Sequence, residues 1–361
     1  MNIAFRTDAS LQIGTGHVMR CLTLADALRE RGVHTTFICR PQAGDMLEWI
    51  RQRGHVVKAL SPAEDNFNAP VEPIHANWLG TDWVSDAVQT QAALDDQVLD
   101  WLVVDHYALD ERWECSLKVN YQRLLVIDDL ADRRHACDLL LDQTFGRAEK
   151  DYSVLVPSGC KVMCGAEYAL LRPEFAALRA YSLRRRLQSS WRKLLITMGG
   201  IDKDNATRRV LMALRACNLP ADCCISVVMG ESAPWLEDVR EQALVMPWPT
   251  RVFVGITDMA RLMANSDLAI GAAGATSWER CCLGLPSVLL VLAENQIKVA
   301  SGLKDVGAAA LIANNSPWES QFEALLSQLL ADQNMLSTMS VASAGIVNGM
   351  GKNLVISQMM N

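Results

Sequence analysis

A histidine stands at the start of a helical pattern, directly behind a pair of glycines. The stretch GTGHVMR places His17 after Gly14 and Gly16, shortly beyond the first apolar strand. Glycines adopt backbone conformations that other residues avoid, so a substrate can approach the chain closely here. The first amides of a helix lack partners within the helix and disfavour added positive charge on a nearby ring. We therefore expect His17 to be an uncharged imidazole that accepts a proton, as a general base does. The histidines without such a setting are expected to be structural or exposed: His34, His55, His75 and His135.

Acidic residues follow several apolar strands of the first half, for example Asp105 after WLVV and Asp128 with Asp129 after RLLVI. In an open parallel sheet the carboxyl ends of the strands face the ligand crevice. We expect Asp105 and Tyr107 to contact a substrate in that crevice. The alternative is that such aspartates cap the helices that follow them. The expected substrate contacts in this half are Asp8, Gly14, Gly16, Arg20, Asp105 and Tyr107.

Three loops rich in small or amide residues follow strands of the second half. The segment DLAIGAAGATSWERCCLGLP passes from a buried strand into a helix at Gly274, and Glu279 lies one turn further on. Small residues at a helix start leave room for a pyrophosphate against backbone amides. Glu279 could accept hydrogen bonds from a ribose, although the alternative is that all three loops are ordinary turns. The expected nucleotide contacts are Gly199, Gly200, Gly274, Ala275, Thr276, Glu279 and Gln296, and Asn295 is expected to contact the substrate.

The first glycine pair also invites comparison with the dinucleotide fingerprint G-x-G-x-x-G. The third glycine position holds Met19, and the second strand ends at Arg40 rather than at an acid for the ribose. A long loop separates the first strand from Gly14, whereas the fingerprint requires a tight turn. The sequence therefore disfavours a nicotinamide dinucleotide, and we expect no cofactor.

These residues require a framework that brings strand ends to one edge. Apolar strands such as NIAFR, HTTFICR and WLVVDHY alternate with amphipathic helices, which is typical of a parallel sheet. A second alternating series begins at LLITMGG. We predict an α/β protein with two Rossmann-like domains, residues 1–185 and 190–361, with the last helix as a candidate to return to the first domain. Residues 61–79 hold three prolines and no clear period, so we expect a long loop there.

The composition limits the partners. The chain has 361 residues and a formal net charge of −7 without a basic block, which argues against nucleic acid or an anionic membrane as partner. The 11 cysteines show no C-x-x-C repeat and are expected to be reduced. No apolar run approaches the ~18 residues of a membrane span. The charged start MNIAFRTDAS does not fit a signal peptide. We expect a cytoplasmic monomer that binds a small molecule.

Several motifs taken together resemble one family. They are DASLQIGTGHVMRCLTLADALRERG, DHYALDERWE, VIDDLADRRHACDLLLDQ, AEYALLRPEF, GAAGATSWERCCLGLP and ENQ. They are similar to the UDP-2,4-diacetamido-2,4,6-trideoxy-β-L-altropyranose hydrolases of pseudaminic acid biosynthesis, which serves flagellin glycosylation. The resemblance covers nearly the whole chain except residues 61–79 and the stretch after about residue 315. Two loops depart from the usual pattern, at Lys203 after Asp202 and at Cys164 with Gly165.

This resemblance implies a fold like that of the GT-B glycosyltransferases, with His17 as general base and with Glu279 and Asn295 on the UDP side. It implies no metal. The expected reaction is attack of water on C1 of the UDP-sugar, with C–O cleavage, inversion and release of UDP. Two alternatives remain open. One is a GT-B glycosyltransferase that uses a UDP-sugar donor, and the other is a UDP-sugar-binding protein without catalysis.

Overall fold

The computed structural model describes residues 1–63, 72–95, 97–187, 192–312 and 318–361. Contacts within the chain define two compact units. Unit 1 comprises Met1–Leu170 and Gly351–Asn361, and unit 2 comprises Leu171–Met350. Each unit is built on its own parallel sheet with helices between successive strands, so the predicted α/β class is confirmed.

Unit 1 begins with the strand that leads to the glycine loop. Its strands are β1 (Asn2–Thr7), β2 (His34–Cys39), β3 (Val56–Ala59), β4 (Leu99–Asp105), β5 (Tyr121–Ile127), β6 (Leu139–Asp142) and β7 (Lys161–Cys164). Its first four helices are α1 (Gly16–Arg29), α2 (Leu47–Gln52), α3 (Trp83–Ala93) and α4 (Glu111–Ser116). Short 3-10 helices lie at Ala76–Leu79, Lys118–Asn120, Glu149–Tyr152 and Ala166–Tyr168. The strand order within the described residues is β3-β2-β1-β4-β5-β6-β7.

Both faces of this sheet are buried, which is why its strands are nearly continuous apolar runs. Along β1 the side chains alternate between two cores: Ile3 and Phe5 pack with α1, and Ala4 packs on the opposite face. Phe5 lies opposite Phe37 of β2, and their rings stack 4.9 Å apart. This register fixes the direction in which β1 delivers the chain to α1.

The neighbour of β1 on its other side is β4, and the two strands run parallel with Thr7 opposite Asp105. Both strands therefore end at the same edge of the sheet. The chain leaving β1 enters α1 through the glycine loop, so residues at the start of α1 lie close to the end of β4. This neighbour relation positions the site described below.

Unit 2 repeats the architecture. Its strands are β8 (Lys193–Thr197), β9 (Cys224–Met229), β10 (Thr250–Val254), β11 (Leu268–Ala272), β12 (Ser287–Leu290) and β13 (Ala310–Ile312). Its helices are α5 (Pro173–Arg186), α6 (Ala206–Leu214), α7 (Leu236–Leu244), α8 (Met259–Asn265), α9 (Thr276–Cys282), α10 (Ile297–Asp305), α11 (Glu319–Ala331) and α12 (Gln333–Ala344). A 3-10 helix lies at Glu294–Gln296. The strand order among the residues described is β10-β9-β8-β11-β12-β13, with all pairs parallel.

The boundary between the units lies one helix earlier than the residue 185 expected from the sequence. Helix α5 belongs to unit 2 because its side chains bond to loops of that unit. Ser182 Oγ donates to the carbonyl of Leu283 (2.7 Å), and Arg179 Nη1 donates to the carbonyl of Val347 (2.9 Å). The amphipathic pattern of a helix shows which of its faces is apolar, but it does not show against which sheet that face packs.

The last helix, α13 (Gly351–Met360), is grouped with unit 1. Val355, Ile356 and Met359 enter the core on the α1 face of the first sheet, and Trp101 Nε1 donates to the carbonyl of Met359 (3.0 Å). The long loop expected at 61–79 is only partly covered, because residues 64–71 lie outside the described residues. None of the helices described is long and apolar enough to cross a membrane.

Candidate active site

His17 is the second residue of α1 and lies beside the carboxyl end of β4. Only 8% of the residue is exposed. Its Nδ1 lies 2.6 Å from Oδ1 of Asp105, the last residue of β4. Within the described part of the chain, the hydrogen bonds of His17 involve Nδ1 alone. The ring is thus held by one nitrogen, and Nε2 is left to act on a ligand.

Asp105 is fully buried and accepts hydrogen bonds from three side chains of α1, those of His17, Arg20 and Cys21. Arg20 donates to it through Nε (2.6 Å) and Nη2 (2.8 Å), in addition to the contact with His17. Burial alone would raise the pKa of Asp105, but the charge of Arg20 and the contact with His17 overcome that effect and hold this pKa well below its ordinary value. An ionised carboxylate only accepts hydrogen bonds, so Nδ1 of His17 must carry the proton and Nε2 is the basic nitrogen.

Tyr107 borders the other side of the imidazole. Its ring meets His17 edge-on, with centroids 4.5 Å apart and an angle of 84°. The phenol donates to Oδ2 of Asp129 (2.9 Å), which also pairs with Nη1 of Arg20. Burial and the charge of Asp129 raise the pKa of Tyr107 well above its ordinary value, so the hydroxyl remains a donor. Asp105 and Tyr107 are held in place by their own hydrogen bonds, and they in turn hold the imidazole of His17.

Three residues of unit 1 that are expected to contact the substrate also form hydrogen bonds within the unit. Arg20 donates to Asp105, and Asp105 accepts from Nδ1 of His17, so this arrangement orients the imidazole. Asp8 is fully buried and bonds to Arg6 Nη1 (2.7 Å) and to the backbone amide of Arg40 (2.7 Å). Direct contact with a substrate stays a prediction for Asp8, Arg20 and Asp105. Except for the Arg6–Asp8 pair, the sequence could not show these bonds because the partners are 32 or more residues apart along the chain.

The glycine loop before α1 is open. Gly14 has φ of +80°, which favours glycine, and a Cβ added at Gly14 or Gly16 would meet no atom within 4 Å. The residue before the helix, Thr15, makes no side-chain cap to the first amides. The loop therefore keeps the space that the sequence predicted for it, although the amide of Gly14 donates to the carbonyl of Ser10 (2.8 Å).

In unit 2 some polar groups of the loop after β8 already form hydrogen bonds within the unit. Gly199 has φ of +93° and open space where a Cβ would be, whereas the carbonyl of Gly200 accepts from the amide of Gly230 (3.0 Å). Asp202 accepts hydrogen bonds from the amides of Ala206 and Thr207, at 2.8 Å each. Those first-turn amides of α6 are thus already bonded, and Gly199 is the open position of this loop.

The loop after β11 is more open. Gly274 has free space at its Cβ position, Ala275 is exposed and Thr276 is partly exposed. Glu279 lies further along α9, with an oxygen 3.6 Å from Nη2 of Arg172. Burial raises the pKa of Glu279, and the charge of Arg172 opposes that shift. A carboxylate at the edge of an open loop is suited to accept hydrogen bonds from hydroxyl groups.

The amide residues after β12 differ from each other. Asn295 is exposed on its 3-10 helix, so its side chain is available to a ligand. Gln296 uses its side-chain oxygen to accept from the amide of Leu292 (3.0 Å), which leaves its nitrogen as the group that could bind a nucleotide.

Arg280 was not among the expected site residues, although it lies in the same motif as Glu279. Its side chain is 1% exposed, and Nη2 donates to the carbonyl of Ala272 (2.6 Å) and to Ser277 Oγ (3.0 Å). Nε and Nη1 have no hydrogen-bond partner within the described residues. Gly271 provides the room, since a Cβ there would lie 2.2 Å from Nη1. Burial lowers the pKa of Arg280 to about 10, so it is still charged at neutral pH.

The sequence also missed two aromatic residues beside His17. His75 and Trp78 lie close to Tyr107, and the ring of Trp78 is 6.2 Å from that of His17. The sequence predicts a structural or exposed role for His75, and the structure places it partly exposed. These residues follow a proline-rich stretch without periodicity, and their pairing with a strand-end tyrosine leaves no signal in the sequence.

Metal ligands are absent from the part of the chain that the structure describes: no group of three or more His, Cys, Asp or Glu side chains is placed to hold an ion.

The chain also resembles known proteins in sequence. Residues 208–358 match the glycosyltransferase family 28 C-terminal domain. The chain is 26% identical over 307 residues to the UDP-2,4-diacetamido-2,4,6-trideoxy-beta-L-altropyranose hydrolase of Campylobacter jejuni, across 85% of this chain and 97% of that protein. The resemblance drawn from the motifs is confirmed.

Solved structures show the same fold. The Acinetobacter baumannii MurG structure is similar to the chain with a TM-score of 0.69 at 17% identity, over 99% of both chains. The calicheamicin glycosyltransferase CalG4 is similar with a TM-score of 0.60 at 14% identity, over 99% of this chain and 97% of that one. At such identities the likeness concerns the fold alone. It confirms two Rossmann-like domains of the GT-B type.

Proposed function

We propose that the chain is an enzyme that hydrolyses UDP-2,4-diacetamido-2,4,6-trideoxy-β-L-altropyranose to UDP and the free sugar, as a step of pseudaminic acid biosynthesis. The observation that carries this proposal is the pair of His17 with a buried, ionised Asp105 beside an open glycine loop. The resemblance to the Campylobacter jejuni hydrolase over most of both chains supports the choice of substrate.

The proposed chemistry uses few groups. Nε2 of His17 takes a proton from water as the water oxygen forms a bond to C1 of the sugar. The bond between C1 and the oxygen of UDP breaks, its electron pair leaves with UDP, and the configuration at C1 inverts. Asp105 keeps the imidazole in the tautomer that can accept this proton and stabilises the imidazolium that forms. A general base typically accelerates such a step about 10²- to 10⁴-fold.

Unit 2 is proposed to bind UDP. Gly199, Gly274, Ala275 and Thr276 offer space and backbone for the diphosphate, and Glu279 is placed to accept from the ribose. Arg280 adds a buried positive charge that forms no ion pair among the residues described, although the charge of Glu279 partly stabilises it. Such a charge favours an anion at the same sheet edge. UDP is a good leaving group, so this site needs no strong general acid.

A glycosyltransferase is the second candidate, because residues 208–358 match a glycosyltransferase domain. In that case an acceptor hydroxyl replaces water, and His17 activates the acceptor. The third reading, a UDP-sugar-binding protein without catalysis, retains ligand binding but has no use for a base. These readings differ in the products formed from a UDP-sugar in water alone.

The direct test is incubation of the purified chain with a small panel of UDP-amino sugars, without added metal, followed by measurement of UDP and free sugar. We expect stoichiometric release of both from the diacetamido substrate. Binding without turnover, or turnover only after addition of an acceptor alcohol, would exclude the hydrolase. A monomeric state and a cytoplasmic location remain predictions from the sequence.

A further inference from the structure

Three rings form a continuous aromatic surface next to His17, which we name the aromatic wall: His75, Trp78 and Tyr107. The rings of His75 and Trp78 are 4.3 Å apart, and those of Trp78 and Tyr107 stack at 5.5 Å with an angle of 25°. Tyr107 touches His17 edge-on, and Trp78 approaches it at 6.2 Å. The imidazole proposed as the base therefore lies at one end of an aromatic surface.

The segment that carries His75 and Trp78 is anchored to unit 1. Ala76 and Leu79 of the 3-10 helix are buried, and Gln42 Nε2 donates to the carbonyl of Trp78 (3.0 Å). The amide of Trp78 also donates to the carbonyl of His75 (2.9 Å). The backbone is thus fixed, so the positions of the two rings are defined by the fold.

The rings of His75 and Trp78 are nevertheless not fully buried in the core. His75 and Trp78 are partly exposed, whereas Tyr107 beneath them is 4% exposed. Rings that only filled the interior would be buried on both faces. Burial lowers the pKa of His75, so its ring is mainly uncharged at neutral pH and presents an aromatic rather than an ionic surface.

We propose that His75 and Trp78 bind the sugar of the substrate, packing against the C–H face of the pyranose or the methyl groups of its acyl substituents. This inference rests on the proposed function. A sugar whose C1 faces Nε2 of His17 must extend past the neighbouring groups, and the aromatic wall borders His17 on the side of Tyr107 and Trp78. Binding sites for small molecules combine aromatic surface with a few polar groups in this way.

The position of these residues also indicates what they determine. They lie in residues 61–79, the stretch that the motif resemblance does not cover, whereas His17, Asp105 and Tyr107 lie within it. The wall therefore joins a segment outside those motifs to residues that lie within them. We assign it a role in discrimination among UDP-sugars that differ in their acyl groups, not in proton transfer.

The test compares Trp78→Ala, His75→Ala and the conservative Trp78→Phe with a matched control, Trp49→Ala. Trp49 is an exposed tryptophan of α2 and is not part of the wall. We expect KM for the diacetamido UDP-sugar to rise at least tenfold in Trp78→Ala and less in His75→Ala, with kcat reduced by a smaller factor. Trp78→Phe should restore most of the loss, and Trp49→Ala should match the parent.

A second measurement separates this inference from the proposed function. Calorimetric titration of the inactive His17→Asn variant, with and without Trp78→Ala, gives the affinities for UDP and for the intact UDP-sugar. Loss of affinity for the UDP-sugar with unchanged affinity for UDP supports the wall. If the parent hydrolyses the substrate while both affinities and KM stay within twofold in Trp78→Ala and His75→Ala, the wall is only packing. If the parent neither hydrolyses nor binds the UDP-sugar, the proposed function fails first.

Discussion

The surroundings of His17 in unit 1 and the loop after β11 in unit 2 handle buried charge in opposite ways. Beside His17, Arg20 is neutralised by Asp105 and Asp129, and both oxygens of Asp105 accept hydrogen bonds. Beside the unit 2 loop, Arg280 has only neutral oxygens as acceptors, and two of its nitrogens are unbonded within the described chain.

The difference separates two tasks. A neutralised network holds a side chain in one orientation before any ligand arrives, which suits a general base. An unneutralised charge in a low-dielectric environment is unfavourable alone and becomes favourable when an anion binds nearby. The proposal therefore places the chemistry in the first region and binding of the UDP diphosphate in the second.

The largest effect is expected from His17→Ala. Loss of the base should lower kcat about 10²- to 10⁴-fold, while the affinity for UDP stays unchanged because unit 2 is untouched. UDP release and UDP titration measure the two quantities. His34→Ala changes an exposed histidine of β2 and should behave as the parent. If His17→Ala lost as much affinity for UDP as it lost activity, the proposed separation of catalysis in unit 1 from UDP binding in unit 2 would be wrong.

Asp105→Asn tests the positioning of His17 without removing it. The amide can donate to Nδ1, which favours the tautomer with the proton on Nε2, the wrong one for a base. We expect kcat to fall about 10²-fold or more with KM nearly unchanged. Nitrogen NMR of His17 should report the change of tautomer. Asp95→Asn, at an exposed aspartate, is the control, and a normal kcat in Asp105→Asn would show that the carboxylate is only structural.

The same substitution at the two arginines should affect stability differently. Arg20→Met leaves Asp105 buried without its main partner and should cost about 3 kcal/mol of unfolding free energy. Arg280→Met removes a charge that no carboxylate pairs with among the described residues, so stability should be unchanged or higher. Urea unfolding of both variants at pH 7 measures the contrast. A comparable loss in Arg280→Met would mean that its charge is neutralised in the free protein.

Arg280→Met should also weaken binding of the diphosphate. We expect the affinity for UDP to fall about tenfold, the loss of one charge-assisted contact, and the affinity for uridine to remain the same. Titration with both ligands gives the comparison. Arg215→Met, at an exposed arginine after α6, should leave both affinities unchanged. Equal weakening of uridine and UDP would assign Arg280 a purely structural role.

A smaller and gradual effect is expected from acid. Burial would raise the pKa values of Asp8 and Asp105, but Arg6 and Arg20 hold both well below the unfolded value of about 3.9. A lowered pKa in the folded state gives stability that is present above the unfolded pKa and is lost as the pH falls below it. Unfolding free energies at pH 7, 5, 4 and 3 should therefore decline below about pH 5. Asp105→Asn should flatten this decline, and an unchanged slope would contradict the assignment.

The sequence predicted the fold and the base because both depend on local patterns. Alternating apolar strands and helices recur over short windows, and a histidine after a glycine pair at a helix start is a contiguous motif. The structure confirms the two Rossmann-like units. His17 lies at the expected helix start, and its catalytic role remains a prediction.

The roles of the acidic residues could not be predicted in the same way. Asp105 meets His17 because β4 is the neighbour of β1. The order of strands in a sheet cannot be predicted from a short stretch of sequence. Asp8 is paired with Arg6, which in turn bonds to Asp86 at a separation of 80 residues. The aromatic wall likewise depends on where residues 72–79 pack, and the boundary depends on which sheet α5 covers.

The most direct test of the central claim is turnover in oxygen-18 water. If His17 activates water for attack on C1, the released UDP carries no label and the new oxygen is on the sugar. Control incubation of the free sugar in the same water corrects for exchange at its anomeric hydroxyl. Label in the terminal phosphate of UDP would mean attack at phosphorus, and it would contradict the role proposed for His17.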